Sequence, residues 1–132
     1  MPPFTGTVPA PAEDIDRHGH LNNVAYVRLV QEAATAHWHA LSTPALRDEV
    51  SWFVRRHEID YLKPVRAGDV LELVTWVGEP TAATWERFVE IRTSPDGTLM
   101  ASARTVWVLV DAKTARPRRI DAGLKAVFTG GS

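Results

Sequence analysis

Ten consecutive residues, Asp14-Ile15-Asp16-Arg17-His18-Gly19-His20-Leu21-Asn22-Asn23, bring together two carboxylates, two imidazoles and two amides just ahead of an amphipathic segment. A helix N-terminus has backbone N–H groups without intrahelical partners and the positive end of the helix dipole. A carboxylate beside such a terminus suits chemistry in which negative charge is created on an oxygen and must be held. The imidazoles also raise the question of a metal. His18 with His20, and His37 with His39, are each spaced two apart; for the pair on the predicted helix, His37 and His39, that spacing sends the side chains in diverging directions. No cysteine and no His₂–carboxylate set completes a site, so no metal and no cofactor are expected.

Bulk composition excludes several function classes. A chain of 132 residues that is 45% apolar is the size of one domain with a sizeable core, and a single domain over 1–132 is expected. Fifteen basic against sixteen acidic groups leave a net charge of −1, which offers no general attraction to nucleic acid or to an anionic membrane. The absence of cysteine removes disulfides and thiol catalysis and fits a reducing, cytoplasmic location. The first residues lack the pattern of a secretory leader, and no apolar run approaches the roughly 18 residues of a membrane span. A soluble, unprocessed protein is expected. No G-x-G-x-x-G or P-loop stands between a strand and a helix, so nucleotide binding by those routes has no support.

The elements that must position the ten-residue run follow from periodicity. Phe4 to Val8 predicts a short strand that ends at, or lies on an edge because of, Pro9 and Pro11. Val24, Val27, Leu29, Val30, Ala33, Ala34 and Trp38 recur at helical spacing, predicting one long helix capped by Asn22 or Asn23 and ending near Leu41-Ser42-Thr43-Pro44. The period then changes to two. Phe53, His57, Ile59 and Tyr61 share one phase of a strand that stops at Lys63-Pro64. Val70–Val77 is apolar on both phases, as in a sheet covered on both sides, and Gly78-Glu79-Pro80 ends it. Trp85, Val89 and Ile91 alternate with Glu86, Glu90 and Arg92. Ser94-Pro95-Asp96-Gly97 then turns the chain into the longest strand, Leu99–Val110. The tail from Thr129 is expected to fray. One early helix and four successive strands give an α+β class, an antiparallel sheet wrapped around or packed upon the helix.

The run Asp14-x-Asp16-x-x-Gly19-His20-x-Asn22-Asn23-x-x-Tyr26 resembles the signature of hotdog-fold acyl-CoA thioesterases of the 4-hydroxybenzoyl-CoA thioesterase type. The stretch Glu58-Ile59-Asp60-Tyr61-Leu62-Lys63-Pro64-Val65-Arg66-Ala67-Gly68-Asp69 is similar to that family's second strand and turn. The resemblance implies that Asp16 acts on an acyl-CoA thioester as general base or nucleophile, and that the Asn23 backbone N–H polarises the carbonyl. Plant acyl-ACP thioesterases carry a similar run whose histidine matches His20, which makes His20 a third catalytic candidate. Gly19, Tyr26 and His57 are the substrate-binding candidates. Asp14 is read as a turn former that orients the loop. The family also implies a homodimer or homotetramer with the site between subunits. Two alternatives remain: an acyl-ACP thioesterase, and a non-catalytic module that binds acyl thioesters. Trp38, Trp52, Trp76, Trp85 and Trp107 are read as core, with some available to line an acyl or aryl pocket. Lys113, Arg116, Arg118 and Arg119 are read as a solvated basic turn.

Overall fold

Alternation of buried and half-buried residues along the strands puts one phase of the sheet against a single helix. The computed structural model describes residues 3–129. In chain order the elements are β1 (Phe4–Pro9), a 3-10 turn (Ala12–Asp14), α1 (Asn23–Leu41), α2 (Pro44–Glu49), β2 (Val50–Tyr61), β3 (Val70–Pro80), β4 (Thr84–Thr93), β5 (Leu99–Asp111) and α3 (Ala122–Thr129). The five strands form one antiparallel sheet in the order β1-β3-β4-β5-β2. Leu71 and Leu73 of β3, Val89 and Ile91 of β4, and Ala101 and Ala103 of β5 meet Ala25, Tyr26, Leu29, Val30 and Ala33 of α1. Burying side chains such as Leu29 and Ile91 contributes about 1.5–3 kcal/mol each. This is the expected α+β architecture.

α1 starts where the sequence places it. The Asn22 side chain accepts the Ala25 amide at 3.0 Å, and the helix closes at Ser42, whose amide donates to the Trp38 carbonyl at 2.9 Å. β1 ends at Pro9 on a sheet edge, where the missing N–H costs no ladder bond. β5 is the longest strand, and the turn at 94–97 is held by the Asp96 carboxylate, which accepts from the Thr93 and Thr98 hydroxyls.

Five expectations need correction. Phe53 does not share a face with His57, Ile59 and Tyr61. The β2–β5 register shifts between Val54 and Arg56, a bulge that inverts the alternation, and Phe53 emerges 65% exposed. β3 runs on to Pro80 through a register shift after Val77. At that shift a Cβ on Gly78 would stand 2.6 Å from the Glu86 carboxylate, so a larger residue would displace that side chain, and the Gly78 carbonyl accepts the Trp85 indole N–H at 2.7 Å. Two short helices are added. Thr43 caps α2, with Pro44 at its first position, and Asp121 accepts the Leu124 amide at 2.8 Å to start α3. α3 brings Leu124 and Phe128 into a second core cluster with Trp38, Val50, Trp85, Leu109 and Ile120. Thr129 belongs to this helix, and residues 130–132 of the tail lie outside the described residues. Finally, α1 covers one face of the sheet only. The opposite face carries the Trp76–Phe88 stack and the Glu58–Arg104–Glu86 ion pairs.

His37 is part of the core, 4% exposed, with Nδ1 3.0 Å from Nη1 of Arg87. A guanidinium only donates, so His37 accepts on Nδ1 and is neutral. Burial, and then the Arg87 charge, hold its pKa down from 6.5 to about 4. Between those values the unfolded chain binds a proton that the native state refuses, so stability falls as pH drops through that window. The His37 contribution is expected to shrink by about 3 kcal/mol. Urea unfolding of wild type and His37→Gln from pH 7 to pH 4 checks this: the wild type should lose its advantage steadily, whereas a constant difference would contradict it.

Candidate active site

Residues 15–21 form a tight loop closed on itself by backbone bonds. Ile15 bridges Leu21, the Asp16 amide donates to the His20 carbonyl at 2.8 Å, and the Gly19 amide returns to the Asp16 carbonyl at 3.0 Å. The reversal needs a residue at φ +78, which Gly19 supplies. The loop is then clamped to the segment after β2. Leu21 donates to the Val65 carbonyl at 2.8 Å, and Ala67 donates to the Gly19 carbonyl at 3.1 Å. From below, Tyr26 of α1, 3% exposed, accepts the Val65 amide on its hydroxyl at 3.0 Å. Asp14 pairs with Arg28 of α1, and its carbonyl accepts the Asn22 amide at 2.9 Å, so it orients the loop.

These constraints aim the Asp16 carboxylate. One oxygen, Oδ1, accepts the His18 amide at 2.8 Å and the His20 amide at 3.2 Å, whereas among the described residues Oδ2 accepts no hydrogen bond. The His20 amide and then the His18 amide hold the Asp16 pKa below its ordinary 3.8, so the group is a carboxylate at neutral pH. Beside it, the first turn of α1 presents donors. Asn22 caps Ala25, and no described group accepts the Asn23 amide. Asp16, His20, Asn22, Asn23 and Tyr26 line one open cavity of about 430 Å³, whose far wall is Tyr61 to Pro64. The Tyr61 hydroxyl reaches the Asn23 carbonyl at 3.4 Å, and its ring meets Tyr26 edge-on at 5.0 Å.

The structure thus brings together Asp16, His20, Asn23 and Tyr26, with Gly19 shaping the loop behind them. His57 is not among them. It sits on β2 with Nδ1 buried and unpartnered among the described residues, and burial lowers its pKa. No group of three metal-ligating side chains occurs among the described residues.

Arg87 escaped the sequence reading. It lies in the buried phase of β4 with Trp85, Val89 and Ile91, and a cation in an apolar phase is the signal that marks it. Trp38, Trp52, Trp85 and Trp107 gather beside it around a second cavity of about 300 Å³, while Trp76 lies on the other face of the sheet.

A family model described as the Thioesterase-like superfamily matches residues 10–128, a span that includes the Asp16 loop and the whole sheet from β2 onward. The chain belongs to this superfamily. The curated acyl-CoA thioester hydrolase YbgC of Escherichia coli is 26% identical to this chain over 119 residues, covering 88% of each chain. The fold is that of solved thioesterases. The 1,4-dihydroxy-2-naphthoyl-CoA thioesterase Slr0204 from Synechocystis superposes with a TM-score of 0.82 at 16% identity, covering 96% of this chain and 95% of its own. SAV2348 from Staphylococcus aureus, solved in complex with CoA, gives 0.85 at 17% identity, covering 98% of this chain and 83% of its own. No described helix is long and apolar enough to cross a membrane.

The two amides that hold Oδ1 have a measurable consequence. The ¹³C titration midpoint of the Asp16 carboxyl should lie below 3.8 in wild type. Gly19→Val, which resists positive φ, should loosen the loop and return it toward 3.8. A wild-type midpoint at or above 3.8 would contradict the geometry.

Proposed function

We propose that this chain hydrolyses acyl-CoA thioesters, with Asp16 as general base or nucleophile and the Asn23 amide as donor to the carbonyl oxygen. The observation that carries the reading is a carboxylate with one oxygen fixed by two amides and the other free, in the same cavity as the uncommitted N-terminus of α1. A thioester carbonyl lying over that terminus gains a hydrogen bond that strengthens as the oxygen becomes anionic. Through the base route, Asp16 takes a proton from water as the water oxygen bonds to the acyl carbon. Collapse of the tetrahedral intermediate breaks the carbon–sulfur bond, and CoA leaves as a thiolate that takes up the proton. Through the nucleophile route, the free carboxylate oxygen attacks the acyl carbon, the carbon–sulfur bond breaks and CoA leaves as a thiolate. Water then opens the resulting mixed anhydride to the free acid and the regenerated Asp16 carboxylate, the thiolate taking up the proton. His20 borders the same cavity, which supports a role for its imidazole as a hydrogen-bond partner of the water; Gly19 and Tyr26 keep the loop and the helix start in register. The similarity to a curated acyl-CoA thioester hydrolase over most of both chains supports the choice of CoA ester.

The proposed active unit is a homodimer joined along β2, itself paired into a tetramer. β2 is a 12-residue strand at the sheet edge that exposes Phe53 at its bulge, and an unpaired edge of that length favours pairing with a second copy. Val24, 74% exposed beside the Asp16 cavity, would be covered by a partner. A cytoplasmic location accords with the lack of cysteine.

CoA release from a panel of short, long and aromatic acyl-CoAs, followed with a thiol reagent, tests the assignment. Asp16→Asn should lower kcat by about 10²–10⁴-fold with little change in KM. Full hydrolysis by the variant would overturn the mechanism. A wild type that binds acyl-CoA but releases no CoA would instead favour a binding module.

A further inference from the structure

On the outer face of the sheet and around its rim, several arginines have carboxylate partners: Arg104 with Glu58 and Glu86, Arg92 with Glu90, Arg118 with Glu49. Inside, Arg87 has none. It is 5% exposed; its Nη1 donates to two neutral acceptors, Thr75 Oγ1 at 2.8 Å and His37 Nδ1 at 3.0 Å, and its guanidinium lies over the Phe128 ring, 5.8 Å from the centroid. Among the described residues no carboxylate comes within ion-pair distance of it. Burial lowers its pKa to about 10, which leaves it cationic at neutral pH. A buried charge without a counter-charge is costly, and an anion supplied from outside would offset that cost.

Arg87 lines the cavity of about 300 Å³ at the C-terminal end of α1, at the small end of the range for ligand pockets. The cavity wall is aromatic. Trp38 stacks on Phe128 with centroids 5.7 Å apart, Trp52 meets both rings edge-on, and Trp85 approaches Phe128 to 4.8 Å. The Trp52 indole N–H is buried and unpartnered among the described residues, a second donor awaiting an acceptor. Arg47 adds another guanidinium to the lining, bonded only to the carbonyl and hydroxyl of Ser42. The one acid in the lining, Glu86, is already held by Arg104 at 2.8 Å. Flat apolar walls, a buried guanidinium and a half-buried one without carboxylate partners, and an indole N–H without an acceptor among the described residues suit an aromatic anion.

Within one chain this cavity and the Asp16 cavity lie at opposite ends of α1; from Asn23 to Trp38 the helix rises about 22 Å. An antiparallel β2-to-β2 pairing about the strand midpoint changes that relation. It sets Val50–Trp52, part of the aromatic cavity, against Tyr61 at the rim of the other copy's Asp16 cavity. We propose that the aromatic cavity of one protomer receives the acyl group of the thioester cleaved by its partner, and that this acyl group is an aromatic ring bearing a carboxylate at the end remote from the thioester. The proposal rests on the thioesterase reading and on the β2-paired dimer. The carboxylate sits on Arg87 and the ring lies among Trp38, Trp52 and Phe128.

Two measurements separate this proposal from the reading beneath it. In the first, quenching of tryptophan fluorescence by benzoate and by benzamide is followed in wild type, Asp16→Asn, Arg87→Lys and Arg87→Met. Benzoate should bind wild type and Asp16→Asn alike, at least about tenfold tighter than benzamide. Arg87→Lys should keep part of that preference and Arg87→Met should lose it. Equal binding of the two probes to wild type, or none, overturns the anion site whatever the variants do. In the second, kcat/KM is compared for 4-carboxybenzoyl-CoA and benzoyl-CoA. A wild-type preference of about tenfold or more for the carboxylated ester, lost in Arg87→Met, is the expected result. A preference for benzoyl-CoA overturns the acyl-pocket assignment even if Asp16 is confirmed. If no CoA ester is cleaved, the thioesterase reading fails, and the first measurement alone decides the anion site.

Discussion

The hydroxyl of Tyr26 accepts the Val65 amide at 3.0 Å inside a core where Val65 is fully enclosed and Tyr26 nearly so. That bond joins the second turn of α1 to the segment leaving β2, and much of the site geometry follows from it. Val65 also accepts the Leu21 amide through its carbonyl, so a single buried residue holds both the helix and the loop that precedes it. With those two fixed, the Asp16 carboxylate and the first amides of α1 have little freedom relative to one another. A buried donor left without its acceptor would cost about 1–3 kcal/mol, which makes this tie hard to break locally.

α1 then serves both ends of the molecule. Its N-terminus offers uncommitted amides and a positive dipole end beside Asp16; its C-terminal half carries His37 and Trp38 into the cluster closed by Phe128 of α3. The sheet separates two electrostatic regimes. Its outer face carries paired charges in water, where each pair contributes little. Its inner face holds one guanidinium in an apolar setting, where a charge interaction is strong and an unmet one is expensive. The same phase of β4 that builds the core with Val89 and Ile91 therefore also carries a buried cation without a carboxylate partner among the described residues.

What the sequence made legible was local. The Asp16 loop, the Asn22 cap and the stripe of α1 depend on residues within a few positions of each other, and they fell where spacing put them. Strand existence was also legible, and one antiparallel sheet against one long helix followed from the order of elements. Phase was not legible through the bulge at Arg55. One extra residue inverts the alternation, and no side chain there announces it, so Phe53 was assigned to the wrong face. α3 was hidden because its signals, Asp121 and the Leu124, Val127 and Phe128 spacing, are short and lie after a basic turn. The tryptophans were legible as possible pocket lining, but the place of the cavity was not, since its walls come from α1, α2, β2, β3, β4, β5 and α3 and meet only in three dimensions.

The central claim is that a thioester carbonyl lies between the free oxygen of Asp16 and the N-terminus of α1. The most direct measurement is a crystal structure with a non-hydrolysable acyl-CoA analogue in which a methylene replaces the sulfur. The account predicts the analogue's carbonyl oxygen within about 3 Å of the Asn23 amide nitrogen, with Asp16 Oδ2 facing the carbonyl carbon directly or through one water. A carbonyl held away from both groups, in a fully occupied complex, would contradict it.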